Sequence, residues 1–174
     1  MPMKNKKALL IVDMLNDFVL KGAPLEVPRA REIVPYIKEE IDKARKEKIP
    51  IIYLCDAHSK DDPEFKVWPS HAVKGTKGQE IIVELKPEKR DFVIFKTTYS
   101  GFYKTKLEKL LRKLKVEKLI VTGILTNICV LYTAVDALMR GFDVEIPEKA
   151  VAGINPEDEK FALRQIKEVL KPRR

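Results

Sequence analysis

Cys129 lies where the apolar run Leu119-Ile120-Val121-Thr122 gives way, through Gly123-Ile124-Leu125-Thr126-Asn127-Ile128, to a helical pattern. A thiol in the first turn of a helix faces backbone N–H groups and the positive helix end, which lower its pKa, and the thiolate is the nucleophile. Thr126 or Asn127 supplies the helix cap in this reading. Such a nucleophile also needs a group to accept the thiol proton and a positive charge to hold the resulting pair. Asp13 and Lys96 follow apolar runs of their own and are the candidates for these roles. Taken singly, Cys129 is equally read as a small core residue, Asp13 as a loop cap and Lys96 as its structural partner.

The chain has only two histidines, His58 and His71. Asp56-Ala57-His58 sets a carboxylate and an imidazole two residues apart, and His71 follows Trp68-Pro69-Ser70. Two imidazoles and a carboxylate with open positions suit Zn²⁺ or Fe²⁺. The spacing alone leaves two surface histidines as the plainer reading. A further alternative pairs Cys129 with a histidine, as in papain-like proteases, and needs neither Lys nor metal. Trp68 either anchors its loop or stacks on a flat ring. Lys74-Gly75-Thr76-Lys77-Gly78 lacks the ending of a phosphate-binding loop and reads as a turn. Cys55 falls inside a strand run and reads as core.

The elements that must position these groups alternate between strand and helix. Ala8–Val12, Ile49–Cys55, Phe92–Phe95, Leu119–Thr122 and Phe142–Ile146 read as strands, the first a continuous apolar run suited to burial on both faces. Helical spacing recurs through Ile33, Ile37 and Ile41, through Leu107, Leu111 and Leu114, and over about 127–140. A last helix opens at Asn155-Pro156-Glu157-Asp158, with Asn as cap and Pro in the first turn. This alternation predicts an α/β fold, a three-layer α/β/α sandwich on a mostly parallel five- or six-stranded sheet. Ligands of such sheets bind outside the carboxyl ends of the strands, where Asp13, Asp56, Lys96 and the Cys129 segment all fall. The stretch 57–78 is long for a loop and carries both histidines, which favours a functional role.

The 174 residues are read as one domain over 1–174, with enough chain for a sizeable core. The net charge of +8 admits nucleic acid as a partner, but basic residues stand beside acidic ones, as in Glu39-Glu40-Ile41-Asp42-Lys43, and a solvated surface is the reading adopted. No apolar run is long enough for a membrane span. Residues 1–7 do not read as a signal peptide, so a cytoplasmic protein with two free thiols is expected. Abundant Lys, Glu and Ile suit a heat-adapted source. A homo-oligomer is left open.

With these residues in view, nearly the whole chain resembles the isochorismatase-like cysteine hydrolases, and within them the nicotinamidase/pyrazinamidase branch. Asp13-Met14-Leu15-Asn16-Asp17-Phe18 is similar to the family's first motif. Lys96-Thr97-Thr98-Tyr99-Ser100-Gly101-Phe102 is similar to its lysine segment, and Gly123–Val130 to its nucleophile motif, which Thr133-Ala134-Val135-Asp136-Ala137 continues. The resemblance implies Asp13 as base, Lys96 as stabiliser and Cys129 as nucleophile. It also implies a cis peptide between Ile124 and Leu125, with the amides of Leu125 and Cys129 forming an oxyanion hole. Asp56, His58 and His71 match the metal-binding segment of nicotinamidases, whose metal, Zn²⁺, Fe²⁺ or Mn²⁺, holds the pyridine nitrogen. Phe18 and Trp68 flank the ring in that picture, and Tyr99 is a third substrate-binding candidate. The activity implied is hydrolysis of nicotinamide to nicotinate and ammonia through a Cys thioester, a step of NAD salvage. Hydrolysis of another small amide or of isochorismate, and a catalytically silent binding protein, are the alternatives.

Overall fold

A computed structural model describes residues 6–171. Six strands form one sheet: β1 (Lys7–Val12), β2 (Ile51–Asp56), β3 (Phe92–Lys96), β4 (Lys118–Ile124), β5 (Asp143–Glu145) and β6 (Val151–Ala152). The order is β3-β2-β1-β4-β5, and every pairing is parallel. The short β6 pairs with the end of β4 through Gly123–Val151 and Ile124–Ala152.

Alternation along β1 explains the layers. Leu9 and Ile11 join one core cluster, while Ala8, Leu10 and Val12 join the other, so both faces of the strand are dry. Five helices cover the sheet: α1 (Asn16–Val19), α2 (Ala30–Lys46), α3 (Leu107–Lys113), α4 (Leu131–Met139) and α5 (Pro156–Arg164). On the Leu9 face, α2 buries Ala30, Ile33, Ile37 and Ala44. Opposite it, α3 and α4 bury Leu107, Leu111, Ala134 and Ala137 against Leu10, Leu54 and Val121, joined by Ile166 from the π-helical turn after α5. Asn155 caps α5 as its sequence suggests, accepting the Glu157 N–H at 2.8 Å.

Several boundaries differ from the sequence reading. β2 begins at Ile51, after Pro50 has removed a ladder donor. β5 shrinks to three residues, and β6, two residues long, was not anticipated as a separate strand. The segment between β2 and β3 extends from Ala57 to Asp91, with 3₁₀ turns at Pro63–Lys66, Lys77–Gln79 and Val83–Leu85. Residues 1–5, on which the reading of the N-terminus largely rests, lie outside the described residues. Among the described residues no helix is long and apolar enough to cross a membrane.

From β1 the chain passes to β2 and β3 on one side, then crosses to β4 on the other. The reversal places the crevice at the carboxyl ends of β1 and β4, where open parallel sheets bind ligands.

Candidate active site

β1 ends at Asp13, which adopts φ +52° and is almost wholly buried. Gly123, at the end of β4, sits at φ +104° against the Val12 backbone, where any Cβ would collide with the Val12 carbonyl. That close approach of β4 to β1 brings the segment beyond it alongside Asp13. Lys96 is the last residue of β3 and pairs in register with Asp56, the last of β2.

The Lys96 side chain is buried completely. Its three N–H groups are all directed: to Asp56 Oδ1 at 2.6 Å, to Thr98 O at 3.1 Å and to Cys129 Sγ at 3.6 Å. Asp13 Oδ2 stands 2.8 Å from the same ammonium as an ion pair. Asp13 Oδ1 accepts the Asp56 N–H at 2.9 Å. One oxygen of Asp13 is therefore held by the Asp56 backbone, and the other faces the ammonium that also reaches the sulfur.

The charges explain the protonation states. Burial and the neighbouring Asp56 raise the Asp13 pKa to about 6, against the pull of Lys96. Burial disfavours the charged Lys96, but Asp13 and Asp56 outweigh it and hold the ammonium well above its ordinary pKa. Burial also pushes the Cys129 thiol well above its ordinary value, with Lys96 pulling the other way. This corrects the expectation that a helix end depresses the thiol pKa. Cys129 lies within a π-helical turn, Thr126–Val130, that precedes α4, and removal from water dominates there. Neither Thr126 nor Asn127 caps the turn: Leu125 takes that position without a side-chain bond. Burial thus favours the thiol form, and a neighbouring acceptor such as Asp13 can take its proton.

Opposite the sulfur, Asp56, His58 and His71 each offer a ligand atom, all within 4.8 Å of one another. His71 Nδ1 lies 2.7 Å from Pro69 O, which fixes the donor there and leaves Nε2 as the ligand nitrogen. His58 Nδ1 lies 3.0 Å from Asp62 Oδ2, while its buried Nε2 has no hydrogen-bond partner. Burial opposes protonation of His58, but the Asp56 and Asp62 carboxylates outweigh it and lift its pKa to about 9. A buried nitrogen without a partner beside a carboxylate oxygen at 3.7 Å is the donor set a divalent cation would satisfy. Among the described residues the hydrogen bond at Cys129 Sγ comes from Lys96, and neither histidine is hydrogen-bonded to it, which favours Lys96 over a Cys–His pairing.

A cavity of about 220 Å³ joins the two halves. It lies below the roughly 300–1,000 Å³ of sites for drug-sized ligands. Asp13 and Cys129 line one part, Asp56 and His71 another, and Phe18, Trp68 and Tyr99 supply aromatic wall. Trp68 Nε1 donates to Tyr99 OH at 3.4 Å. Leu125 also lines the cavity, and the Ile124–Leu125 peptide is cis, as the resemblance implies. The sequence reading missed Glu64, whose Oε1 lies 3.7 Å from His71 Nε2, and Asp62, which orients His58. Both sit within a few residues of His58 in Asp61-Asp62-Pro63-Glu64, an acidic signal that was available. Leu25, Ile128 and Ile154 also line the cavity and carry no such signal.

The family model for the isochorismatase domain matches residues 7–172. The chain belongs to the isochorismatase family. Among solved members, it is similar to a pyrazinamidase/nicotinamidase from Streptococcus mutans, with 34% identity, 96% of this chain and 98% of the other covered, and a TM-score of 0.91. A pyrazinamidase of Pyrococcus horikoshii in complex with zinc is 37% identical over 93% and 94% of the two chains, with a TM-score of 0.88. An N-carbamoylsarcosine amidase from Thermoplasma acidophilum is 38% identical, covers 91% of each chain and has a TM-score of 0.84. The isochorismatase family thus includes hydrolases of more than one small amide, on the six-stranded parallel sheet found in this chain.

Proposed function

We propose that this chain is a nicotinamidase, hydrolysing nicotinamide to nicotinate and ammonia with Cys129 as nucleophile, Asp13 as acid–base and Lys96 as the charge that stabilises both. The observation that carries this reading is the sharing of one small cavity by Cys129 and the Asp56–His71 part of the metal-ligand set. Similarity to the pyrazinamidase/nicotinamidase and to the zinc complex supports it.

Asp13 Oδ2 takes the thiol proton, and the thiolate adds to the carboxamide carbon. The amides of Leu125 and Cys129 receive the developing oxyanion. Protonated Asp13 gives its proton to the departing ammonia, forming the thioester. Asp13 then takes a proton from water, whose oxygen adds to the thioester. Collapse expels the Cys129 thiolate, which takes that proton back from Asp13, and the acid leaves as nicotinate and a proton. Lys96 stabilises the negative charge of the Asp13–Cys129 pair as it passes between carboxylate and sulfur. Asp56, His58 and His71 would hold the divalent metal, Zn²⁺, Fe²⁺ or Mn²⁺, which when bound supplies a Lewis-acid anchor for a ring nitrogen. Phe18, Trp68 and Tyr99 confine the ring.

The test is ammonia release from nicotinamide, pyrazinamide and simple aliphatic amides by metal-loaded protein and by protein stripped with chelator. The reading expects the two heteroaromatic amides to lead and chelation to remove their turnover, with Zn²⁺ or Fe²⁺ restoring it. Preference for N-carbamoylsarcosine or an aliphatic amide, or indifference to chelation, would transfer the assignment to another activity of the family.

A further inference from the structure

One carboxylate beside the site enters none of these steps. Asp17 lies in α1, four residues after Asp13, and is half-buried. Its Oδ2 accepts the N–H of Ala72 at 2.8 Å, across 55 residues of chain. Ala72 directly follows His71, is fully buried and adopts φ +44°. An alanine in that left-handed region costs about 1–3 kcal/mol and persists only where surrounding contacts hold it.

Ala72 also links the segments that carry the two histidines. Ala72 O accepts the His58 N–H at 3.0 Å, and His58 O accepts the Lys74 N–H at 3.0 Å. On its other side the Asp17 carboxylate meets Gly78, where any Cβ would collide with it. Neighbouring bonds tie the same two segments together: Asn16 Nδ2 donates to Lys77 O at 2.7 Å, and Asn16 N to Glu80 O at 2.9 Å.

We propose that Asp17 is a positioning residue for the metal set, holding the His71–Ala72 peptide in the turn that carries His71 to His58. The proposal rests on the metal reading given above. It makes the first motif bifunctional: Asp13 serves the thiol, and Asp17 serves the ligand loop. Asn in place of Asp17 retains an oxygen acceptor for the Ala72 N–H, whereas Ala does not.

The experiment measures Zn²⁺ affinity by competition with a chromophoric chelator on the full-length wild type, Asp17→Ala, Asp17→Asn and Gly78→Ala. Alkylation of Cys129 is followed on the same samples. Asp17→Ala and Gly78→Ala are expected to lose about 10- to 100-fold in Zn²⁺ affinity, the range for partners that orient a ligand, while Asp17→Asn stays near wild type. Cys129 should be alkylated at the wild-type rate in all four. Undiminished Zn²⁺ affinity in Asp17→Ala overturns the proposal alone. Loss of affinity accompanied by exposure of the buried Cys55 to reagent assigns Asp17 to general stability and overturns it as well. A wild type that binds no Zn²⁺, Fe²⁺ or Mn²⁺ overturns the metal reading, and this proposal with it.

Discussion

The backbone N–H of Asp56 donates to Asp13 Oδ1 at 2.9 Å, so the group beside the thiol and the first ligand of the metal set are joined by one hydrogen bond. Lys96 joins them a second time, 2.6 Å from Asp56 Oδ1 and 2.8 Å from Asp13 Oδ2. The two halves of the site are therefore one buried charge cluster, held at the ends of three neighbouring strands. Its consequences reach stability as well as reactivity.

Replacing Lys96 by Met leaves two carboxylates buried and facing each other. Removing one partner of a buried ion pair costs about 3–5 kcal/mol. At roughly 2–4 °C per kcal/mol for a chain of this length, calorimetry should show melting lowered by about 10 °C. Lys96→Arg should not restore the wild-type value, because a planar guanidinium does not reproduce the three directions of the ammonium. Melting of Lys96→Met at the wild-type temperature would contradict a cluster held together by this ammonium.

The two thiols should differ sharply toward iodoacetamide. Cys129 is half-buried and opens on the cavity, whereas Cys55 is buried in the sheet. Peptide mapping of native protein should find label at Cys129 only, with Cys55 labelled after denaturation. Equal labelling of both in native protein would count against the packing around β2.

Substrate charge should matter. Asp13, Asp56, Glu26 and Glu64 line the cavity and, among the described residues, no Arg or Lys does, while the hydrogen bonds of Lys96 go to Asp56, Thr98 and Cys129. An amide bearing its own carboxylate, such as N-carbamoylsarcosine, meets like charge without a dedicated partner, a mismatch that costs several kcal/mol. Its kcat/KM should fall about 100-fold or more below that of nicotinamide. Comparable values for the two would show that the metal or the cavity mouth supplies the missing cation.

Much of this site is legible in the sequence because a parallel sheet gathers the residues beyond its strand ends along one edge. Asp13, Asp56 and Lys96 each end or follow an apolar run, and the structure brings all three within hydrogen-bonding or ion-pair reach. Legibility fails where tertiary packing decides. The sulfur's protonation depends on removal from water, which no local pattern reports, and helix-end reasoning gives the opposite sign. Asp62 and Asp17 act through contacts inside an irregular segment, where neither strand nor helix periodicity applies. The two-residue β6 is held by its pairing with the end of β4 and is too short for alternation to show.

Acid-quenched peptide mass spectrometry of metal-loaded protein turning over nicotinamide bears most directly on the role of Cys129. A nicotinoyl thioester should appear on the peptide containing Cys129. Neither adduct nor nicotinate should form in Cys129→Ala, which should still bind the amide. Nicotinate formed by Cys129→Ala at the wild-type rate, or an acyl group on any other residue, would contradict the assignment of Cys129 as nucleophile.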